Sequence, residues 1–203
     1  MPVSSNCRII VIEGPDKVGK QTQTAMLVES LRGLGVKVAT AEIPYNDGPI
    51  YNRIYEWLRN GVALKYPEAF QTYQVANRLV WQGDVLPKLA QNNDVIIMDR
   101  WNISAIVYGR GSGLSEEQVQ DIIVNSGLVE PDLVFVFDGE PFITPDREDD
   151  SYERNMELRR KVREGYMRWA DENSDIALKV PANRPREDVA NDLLNHAKML
   201  LNL

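Results

Sequence analysis

The chain has 203 residues, of which 43% are hydrophobic and 26% charged, and this suits one globular domain spanning residues 1–203. Its 30 Asp and Glu against 23 Lys and Arg give a formal net charge of −7, which argues against broad binding to nucleic acid or anionic membrane but leaves open a small phosphorylated ligand. The single cysteine, Cys7, excludes an internal disulfide, and no targeting or membrane-spanning segment is evident, so we expect a cytoplasmic protein.

Short apolar runs rich in β-branched residues alternate along the chain with longer helical patterns. The predicted strands are Cys7–Glu13, Val36–Ala41, Val95–Met98, Leu133–Phe137 and Ile176–Val180. The predicted helices lie near 19–33, 48–60, 68–92, 115–127, 151–172 and 185–202. Continuous hydrophobicity within each run is typical of strands buried on both faces. The pattern predicts a three-layer α/β fold with a five-stranded parallel sheet flanked by helices, and ligands beyond the carboxyl ends of the strands.

The first predicted strand runs directly into the loop GPDKVGK, and a helical pattern follows. This strand–loop–helix context is that of a phosphate-binding P-loop, in which Gly14 and Gly19 let backbone N–H groups converge on phosphate oxygens. Lys20 then supplies a positive charge to the phosphates. The alternative is a glycine turn with Lys20 merely exposed. The usual pattern has Ser or Thr after the lysine, whereas this chain has Gln21.

The third predicted strand ends in Asp99-Arg100. A carboxylate at the tip of a buried strand beside a P-loop is the arrangement that holds Mg²⁺ or its waters, and an adjacent arginine can grip phosphates. The two residues can equally form a structural ion pair. Later in the chain, the acidic stretch 138–151 lacks periodicity and reads either as a solvated loop or as a mobile lid.

Five fragments, in this order and spacing, resemble the thymidylate kinase family over most of the chain. They are IVIEGPDKVGKQTQ at 10–23, ANR at 76–78, VIIMDRWNISAIVYG at 95–109, PDLVFVFD at 131–138 and KVREGY at 161–166. The resemblance implies a P-loop kinase, working as a homodimer, that transfers the γ-phosphoryl group of ATP, with Mg²⁺, to the 5′-phosphate of a deoxypyrimidine monophosphate, normally dTMP.

The resemblance also implies roles for the residues near the phosphates. Asp16 matches an acid that contacts the acceptor sugar, Lys17 a position facing the transferring phosphate, Lys20 the P-loop lysine and Arg100 the arginine on the acceptor phosphate; these four are the catalytic candidates. Asp99, and with it Gln21, is the candidate for holding the metal. The implied ATP site comprises Gly14, Asp16, Lys17, Val18, Gly19, Lys20, Gln21, Thr22 and, from a lid at 138–154, Arg147 and Arg154.

On the acceptor side, Arg78 matches an arginine that reads the pyrimidine edge, and a ring at Tyr108 would crowd a ribose 2′-hydroxyl. The implied acceptor site comprises Asp16, Tyr45, Arg53, Tyr73, Gln74, Arg78, Arg100, Ser104, Ala105 and Tyr108.

Three departures from the family pattern bear on function. Gln21 replaces a hydroxyl; its carbonyl is a competent oxygen ligand but sits farther from the backbone, so it binds Mg²⁺ through water or leaves it to Asp99. Residues 43–46 read Ile-Pro-Tyr-Asn where many members have F-P-x-R, so Arg100 or Arg53 must compensate for a lost phosphate contact.

The third departure lies beside the base, where Gln74 replaces the usual Phe and Ala105 replaces an amide found in some members. Because these changes cluster around the pyrimidine, they favour an altered acceptor such as a 5-substituted deoxyuridylate. The alternatives are a P-loop kinase for another nucleotide or nucleoside, and a degenerate nucleotide-binding protein, which Gln21 favours.

Overall fold

The computed structural model describes residues 7–139 and 151–203, without the side chains of residues 153 and 154. Its strands are β1 (Arg8–Glu13), β2 (Val38–Glu42), β3 (Val95–Asp99), β4 (Leu133–Asp138) and β5 (Ala177–Pro181). Its helices are α1 (Lys20–Gly33), α2 (Tyr51–Arg59), α3 (Val62–Lys65), α4 (Pro67–Asp84), α5 (Leu86–Asn92), α6 (Asn102–Gly111), α7 (Glu116–Ile122), α8 (Ser151–Arg154), α9 (Met156–Glu172) and α10 (Arg186–Leu201), with a 3₁₀ turn at Val124–Ser126.

All five strands are parallel and pair in the order β2-β3-β1-β4-β5, which confirms the predicted sheet. Successive side chains of a strand point to opposite faces, and both faces of this sheet are buried. In β1, Ile9 and Val11 join the core beneath α4, α6 and α9, while Ile10 and Ile12 join the core beneath α1 and α10. The chain therefore folds as three layers. Among the described residues, no helix combines the length and the apolar character needed to cross a bilayer.

The single helix expected at 68–92 is two helices, α4 and α5, that meet at Val85. Pro87 has no N–H with which to continue the hydrogen bonding of α4, and Gly83 adds a second weak position just before the break. The helix expected at 151–172 is likewise divided, because Asn155 caps the start of α9 by accepting a hydrogen bond from Leu158 N at 3.0 Å.

Helix α6 was not among the predicted helices. It is buried along nearly its whole length, so it lacks the alternation of apolar and polar faces by which a surface helix is detected. No side chain of its own first residues caps it. The group that caps it is the carboxylate of Glu13, at the end of β1, which accepts from the backbone N–H groups of Trp101 and Ser104.

The pairing of β1 with β3 places the loops that follow them side by side. Ile12 lies opposite Asp99, and the backbone N–H of Arg100 donates to the carbonyl oxygen of Ile12 at 3.0 Å. The glycine loop after β1 and the Asp99-Arg100 pair after β3 are therefore neighbours at the carboxyl edge of the sheet.

Candidate functional site

The two glycines of the loop adopt positive φ angles, as expected for a P-loop. Gly14 has a φ of 136°, and a Cβ added there would lie 2.7 Å from the carbonyl oxygen of Phe137 on β4. Gly19, with a φ of 88°, is the residue from which α1 begins. Only glycine fits the first position, and α1 directs the partial positive charge of its N-terminus into the loop.

Lys20, at the start of α1, is folded inward rather than exposed. The residue is only 7% exposed, and its Nζ donates to the carbonyl oxygens of Gly14 at 3.3 Å and Pro15 at 2.7 Å. Burial and the nearby cation of Arg100 lower the pKa of Lys20 to about 8, against the opposing effect of neighbouring carboxylates. The lysine is thus held within the loop that is expected to surround phosphate.

Arg100 connects the two loops. Its guanidinium forms an ion pair with Asp16, and its Nη1 donates to the carbonyl oxygen of Gly14 at 3.2 Å. Burial alone would raise the pKa of Asp16, but Arg100 and Lys20 outweigh it and hold this pKa below its ordinary value. Arg100 therefore pairs with Asp16 across the loops and, at 4.0 Å, with Glu13, whereas the described residues show no ion pair between Arg100 and its neighbour Asp99.

Glu13, the last residue of β1, is fully buried and accepts four hydrogen bonds. Its Oε1 accepts from the backbone N–H groups of Trp101 at 2.8 Å and Ser104 at 3.1 Å, which caps α6. Its Oε2 accepts from the hydroxyls of Ser104 at 2.6 Å and Tyr166 at 3.0 Å. Both hydroxyls give their one proton to Glu13, so both offer lone pairs to Arg100 Nη1, at 3.1 and 3.0 Å. Glu13 thereby orients Arg100 through two side chains.

Asp99 lies where a metal-binding carboxylate is expected. Its Oδ1 is buried and has no hydrogen-bond partner among the described residues. Over the same part of the chain, no three His, Cys, Asp or Glu side chains are grouped so as to hold a metal unaided. Mg²⁺ usually takes one or two carboxylates and completes its shell with phosphates and water, so the residues present fit Mg²⁺ brought with a nucleotide. Gln21 is exposed on the first turn of α1 and lines the same cavity.

A cavity of about 800 Å³ extends from the glycine loop to α2 and α4. The site residues predicted from the sequence that line it are Asp16, Lys17, Gly19, Lys20, Gln21, Thr22, Gln74, Arg78, Asp99, Arg100, Ser104, Ala105 and Tyr108. Residues on six separate elements and loops thus meet at one cavity, which is large enough for a nucleotide.

Other predicted site residues do not line this cavity. Tyr45 lies beside a smaller neighbouring pocket, and Tyr73 packs edge-on against Trp57 with ring centroids 5.0 Å apart. Arg53 is exposed on α2 and pairs with Glu56 at 2.8 Å. Gly14 and Val18 belong to the glycine loop but do not line the cavity: Gly14 lies against Phe137, and Val18 is buried. Arg147 and the side chain of Arg154 lie outside the described part of the chain, as does most of the segment predicted to be a lid.

Arg78, on α4, is not a surface charge. It is 2% exposed, and its Nη1 donates to Gln74, to the backbone oxygen at 2.8 Å and to Oε1 at 2.9 Å. Its Nη2 donates to the carbonyl oxygen of Trp101 at 3.0 Å. Burial lowers its pKa to about 10, which still leaves the guanidinium charged at neutral pH.

Several lining residues escaped the sequence prediction. Tyr152 of α8 stacks on Tyr108, with centroids 5.4 Å apart and planes 7° from parallel, and meets Phe70 edge-on at 5.7 Å. Tyr108 in turn donates to Asp16 Oδ2 at 3.2 Å. Gln71, Tyr51, Tyr55 and Arg59 also line the cavity. Tyr166 and Glu13 lay inside recognised motifs, and only their mutual contact reveals their importance.

A model of the family described as "Thymidylate kinase" matches residues 12–193 of the chain. The chain is 28% identical to thymidylate kinase of Plasmodium falciparum over 190 residues, covering 92% of this chain and 88% of that protein. It is 29% identical to a probable thymidylate kinase of Caldivirga maquilingensis over 193 residues, covering 93% and 92%. A solved thymidylate kinase structure from Ehrlichia chaffeensis has the same fold, with a TM-score of 0.72 at 21% identity, covering 96% and 99% of the two chains.

Proposed function

The chain belongs to the thymidylate kinase family, and from that premise we propose that it transfers the γ-phosphoryl group of ATP to the 5′-phosphate of a deoxypyrimidine monophosphate, dTMP or a 5-substituted dUMP. Membership makes it a nucleoside monophosphate kinase, a phosphotransferase. What we propose beyond family membership is the identity of the phosphoryl donor, ATP, and of the acceptor, a deoxypyrimidine monophosphate. One observation supports it above others: Lys20, Asp99 and the Asp16–Arg100 pair meet in a single cavity with room beyond them for a second nucleotide.

Phosphoryl transfer chiefly requires the protein to hold two anionic nucleotides in line and to offset their negative charge. The loop N–H groups and Lys20 would hold the donor phosphates, and Arg100 would turn from Asp16 toward the acceptor phosphate. Asp16, once released, becomes free to accept from a sugar hydroxyl, and Tyr108 beside it limits space at the sugar. Mg²⁺, bound by Asp99 and the phosphates, would neutralise charge on the transferring group.

The deciding experiment is a coupled assay of ADP release with ATP, Mg²⁺ and a panel of dTMP, dUMP, 5-substituted dUMP, dCMP, dAMP and dGMP. We expect kcat/KM for the best deoxypyrimidine to exceed that for the purines at least tenfold, since one well-placed base contact changes rates by about that factor. Preference for a purine, or no turnover with any acceptor, would overturn the proposal. A strong preference for dTMP over dUMP and every larger analogue would overturn only the 5-substituted acceptor.

A second prediction concerns Gln21, which stands where the family has a hydroxyl. A hydroxyl lies closer to the backbone and can enter the tight octahedron of Mg²⁺ directly. Replacement Gln21→Thr is therefore expected to lower the Mg²⁺ concentration for half-maximal rate, roughly three- to tenfold for one added ligand contact. The measurement is a Mg²⁺ titration of initial rate at fixed nucleotide. The matched control is Gln91→Thr, on the exposed face of α5. An unchanged Mg²⁺ requirement would show that side chain 21 is not near the ion.

We also propose a homodimer, as the family resemblance implies. Leu79 is 39% exposed on α4, a helix rich in apolar residues, which is compatible with an interface formed by packed helices.

A further inference from the structure

The ring of Tyr108, on α6, is the group that the proposed function places beside the acceptor sugar. It lines the cavity, and its hydroxyl donates to Asp16 Oδ2 at 3.2 Å. Burial and the negative charge of Asp16 raise the pKa of Tyr108 well above its ordinary value, so the hydroxyl keeps its proton and remains a donor at neutral pH. This hydrogen bond fixes the tip of the ring, whereas the position of its faces depends on what packs against them.

Tyr152, on α8, packs flat against Tyr108. The two ring centroids are 5.4 Å apart, and the planes are 7° from parallel. Tyr152 is itself held in place, because Phe70 meets it edge-on at 5.7 Å and Ser112 Oγ lies 3.5 Å from its hydroxyl. It is 7% exposed, so its ring has little room in which to move. Tyr152 is therefore a fixed support on which the ring of Tyr108 rests.

The other neighbours of the Tyr108 ring belong to the network that holds the phosphate end of the cavity. Tyr166 meets the ring edge-on at 6.5 Å, and Arg100 Cζ lies 5.8 Å from its centroid. Both of these residues are joined to Glu13. Tyr152 comes instead from α8, so replacing it loosens Tyr108 without removing a group from the Glu13 network.

We propose that Tyr152 is a positioning residue that holds the ring of Tyr108 against the acceptor sugar and thereby sets the preference for a 2′-deoxyribose acceptor over a ribose acceptor. A ring rejects an added hydroxyl by steric conflict only when it cannot move aside. With Tyr152 behind it, the ring of Tyr108 has no space into which to withdraw. The inference rests on the proposed function, because it assumes that the acceptor sugar lies against Asp16 and Tyr108.

The test compares dTMP with 5-methyluridine 5′-monophosphate, two acceptors that differ only in the 2′-hydroxyl. Replacement Tyr152→Ala leaves a cavity into which Tyr108 can move, so we expect the ratio of kcat/KM for dTMP to that for the ribonucleotide to fall at least about tenfold. Replacement Tyr152→Phe keeps the stacked ring and should keep the ratio within about threefold of wild type. The matched control is Tyr66→Ala, at a tyrosine that is 51% exposed, which should leave the ratio unchanged.

A double-mutant cycle separates positioning from direct contact with the sugar. Replacement Tyr108→Ala removes the ring that Tyr152 supports and should itself lower the ratio. If Tyr152 acts through Tyr108, adding Tyr152→Ala to that variant changes the ratio no further. A second fall as large as that in Tyr152→Ala alone would overturn the positioning role.

The ratio is measured on one preparation, so an unfolded fraction of a variant cancels from it. A purely structural role for Tyr152 would lower kcat/KM for both acceptors together and leave the ratio unaltered, which would overturn the inference. If Tyr152→Ala does not fold at all, Tyr152→Leu, which loses the flat ring but less volume, undergoes the same comparison.

Failure of the inference and failure of the proposed function give different results. Turnover of dTMP by the wild type, with no preference over the ribonucleotide or with a ratio that Tyr152→Ala leaves unaltered, overturns the inference and leaves the proposed function standing. If the wild type phosphorylates no pyrimidine, calorimetric titration with the same two nucleotides decides separately. Tighter binding of dTMP that Tyr152→Ala abolishes upholds the role of Tyr152, and equal or absent binding overturns it.

Discussion

Replacing Lys20 with methionine is expected to lower kcat for phosphoryl transfer by about 10²- to 10³-fold, the usual cost of removing one preorganised charge or donor from a developing anion. Lys20 is the buried cation at the end of the glycine loop, and its Nζ lies against the carbonyl oxygens of Gly14 and Pro15, 2.7 to 3.3 Å away. The measurement is a steady-state assay with saturating ATP and the best acceptor from the panel.

The loss of activity in Lys20→Met should not arise from unfolding. Burial lowers the pKa of Lys20 to about 8, which means that the folded protein holds this charge less favourably than water does. A neutral side chain of similar length therefore leaves the urea midpoint unchanged or slightly raised. The control is Lys88→Met, an exposed lysine on α5, which should retain full activity. A Lys20→Met variant within threefold of wild-type kcat would exclude Lys20 from the chemistry.

Replacing Glu13 with glutamine is expected to lower the free energy of unfolding by about 3 kcal/mol, the typical cost of removing one partner from a buried charged network. The carboxylate accepts from two backbone N–H groups and two hydroxyls. A glutamine amide has one accepting end and one donating end. Its nitrogen would face donors, so the hydroxyls of Ser104 and Tyr166 would have to turn, and the lone pairs that hold Arg100 would be lost. Urea unfolding followed by tryptophan fluorescence measures the change.

The same substitution should raise KM for the acceptor about tenfold, since it loosens the arginine proposed to grip the acceptor phosphate by roughly one hydrogen bond to a charged group. The matched control is Tyr166→Phe, which removes one hydroxyl and leaves the charge of Glu13; it should cost about 1 kcal/mol. Equal stability of Glu13→Gln and wild type would contradict the view that Glu13 holds α6 and Arg100 in place.

The sheet was predictable because its signal is local. The three central strands, β1, β3 and β4, each contain an unbroken apolar run, such as VIIM in β3. Helix α6 was not predictable in this way, since it is buried on nearly all sides and its capping carboxylate comes from Glu13 on β1. The break between α4 and α5 was visible in Pro87, whose missing N–H outweighs the favourable pattern around it.

The site shows the same division between local and remote information. The loop, Lys20, Asp99 and Arg100 carry recognisable spacing, and the structure brings them to one cavity. Partners brought together by the fold cannot be read from spacing, as for Arg100 with Asp16 and Tyr152 with Tyr108. Whether the predicted residues act as assigned stays a prediction for the kinetics to test.

Lys20 and Arg100, two of the cations at the loop, already have partners within the protein. Lys20 Nζ is held by two backbone carbonyl oxygens, and Arg100 by the carboxylate of Asp16. An incoming ligand has to displace these contacts instead of meeting free charges. A small singly charged ion such as chloride offers too little in exchange, whereas a polyphosphate offers several charged oxygens at once. We therefore expect the protein to bind common inorganic anions only weakly. We also expect the products to dissociate more readily than the substrates, because transfer divides the charge between two molecules.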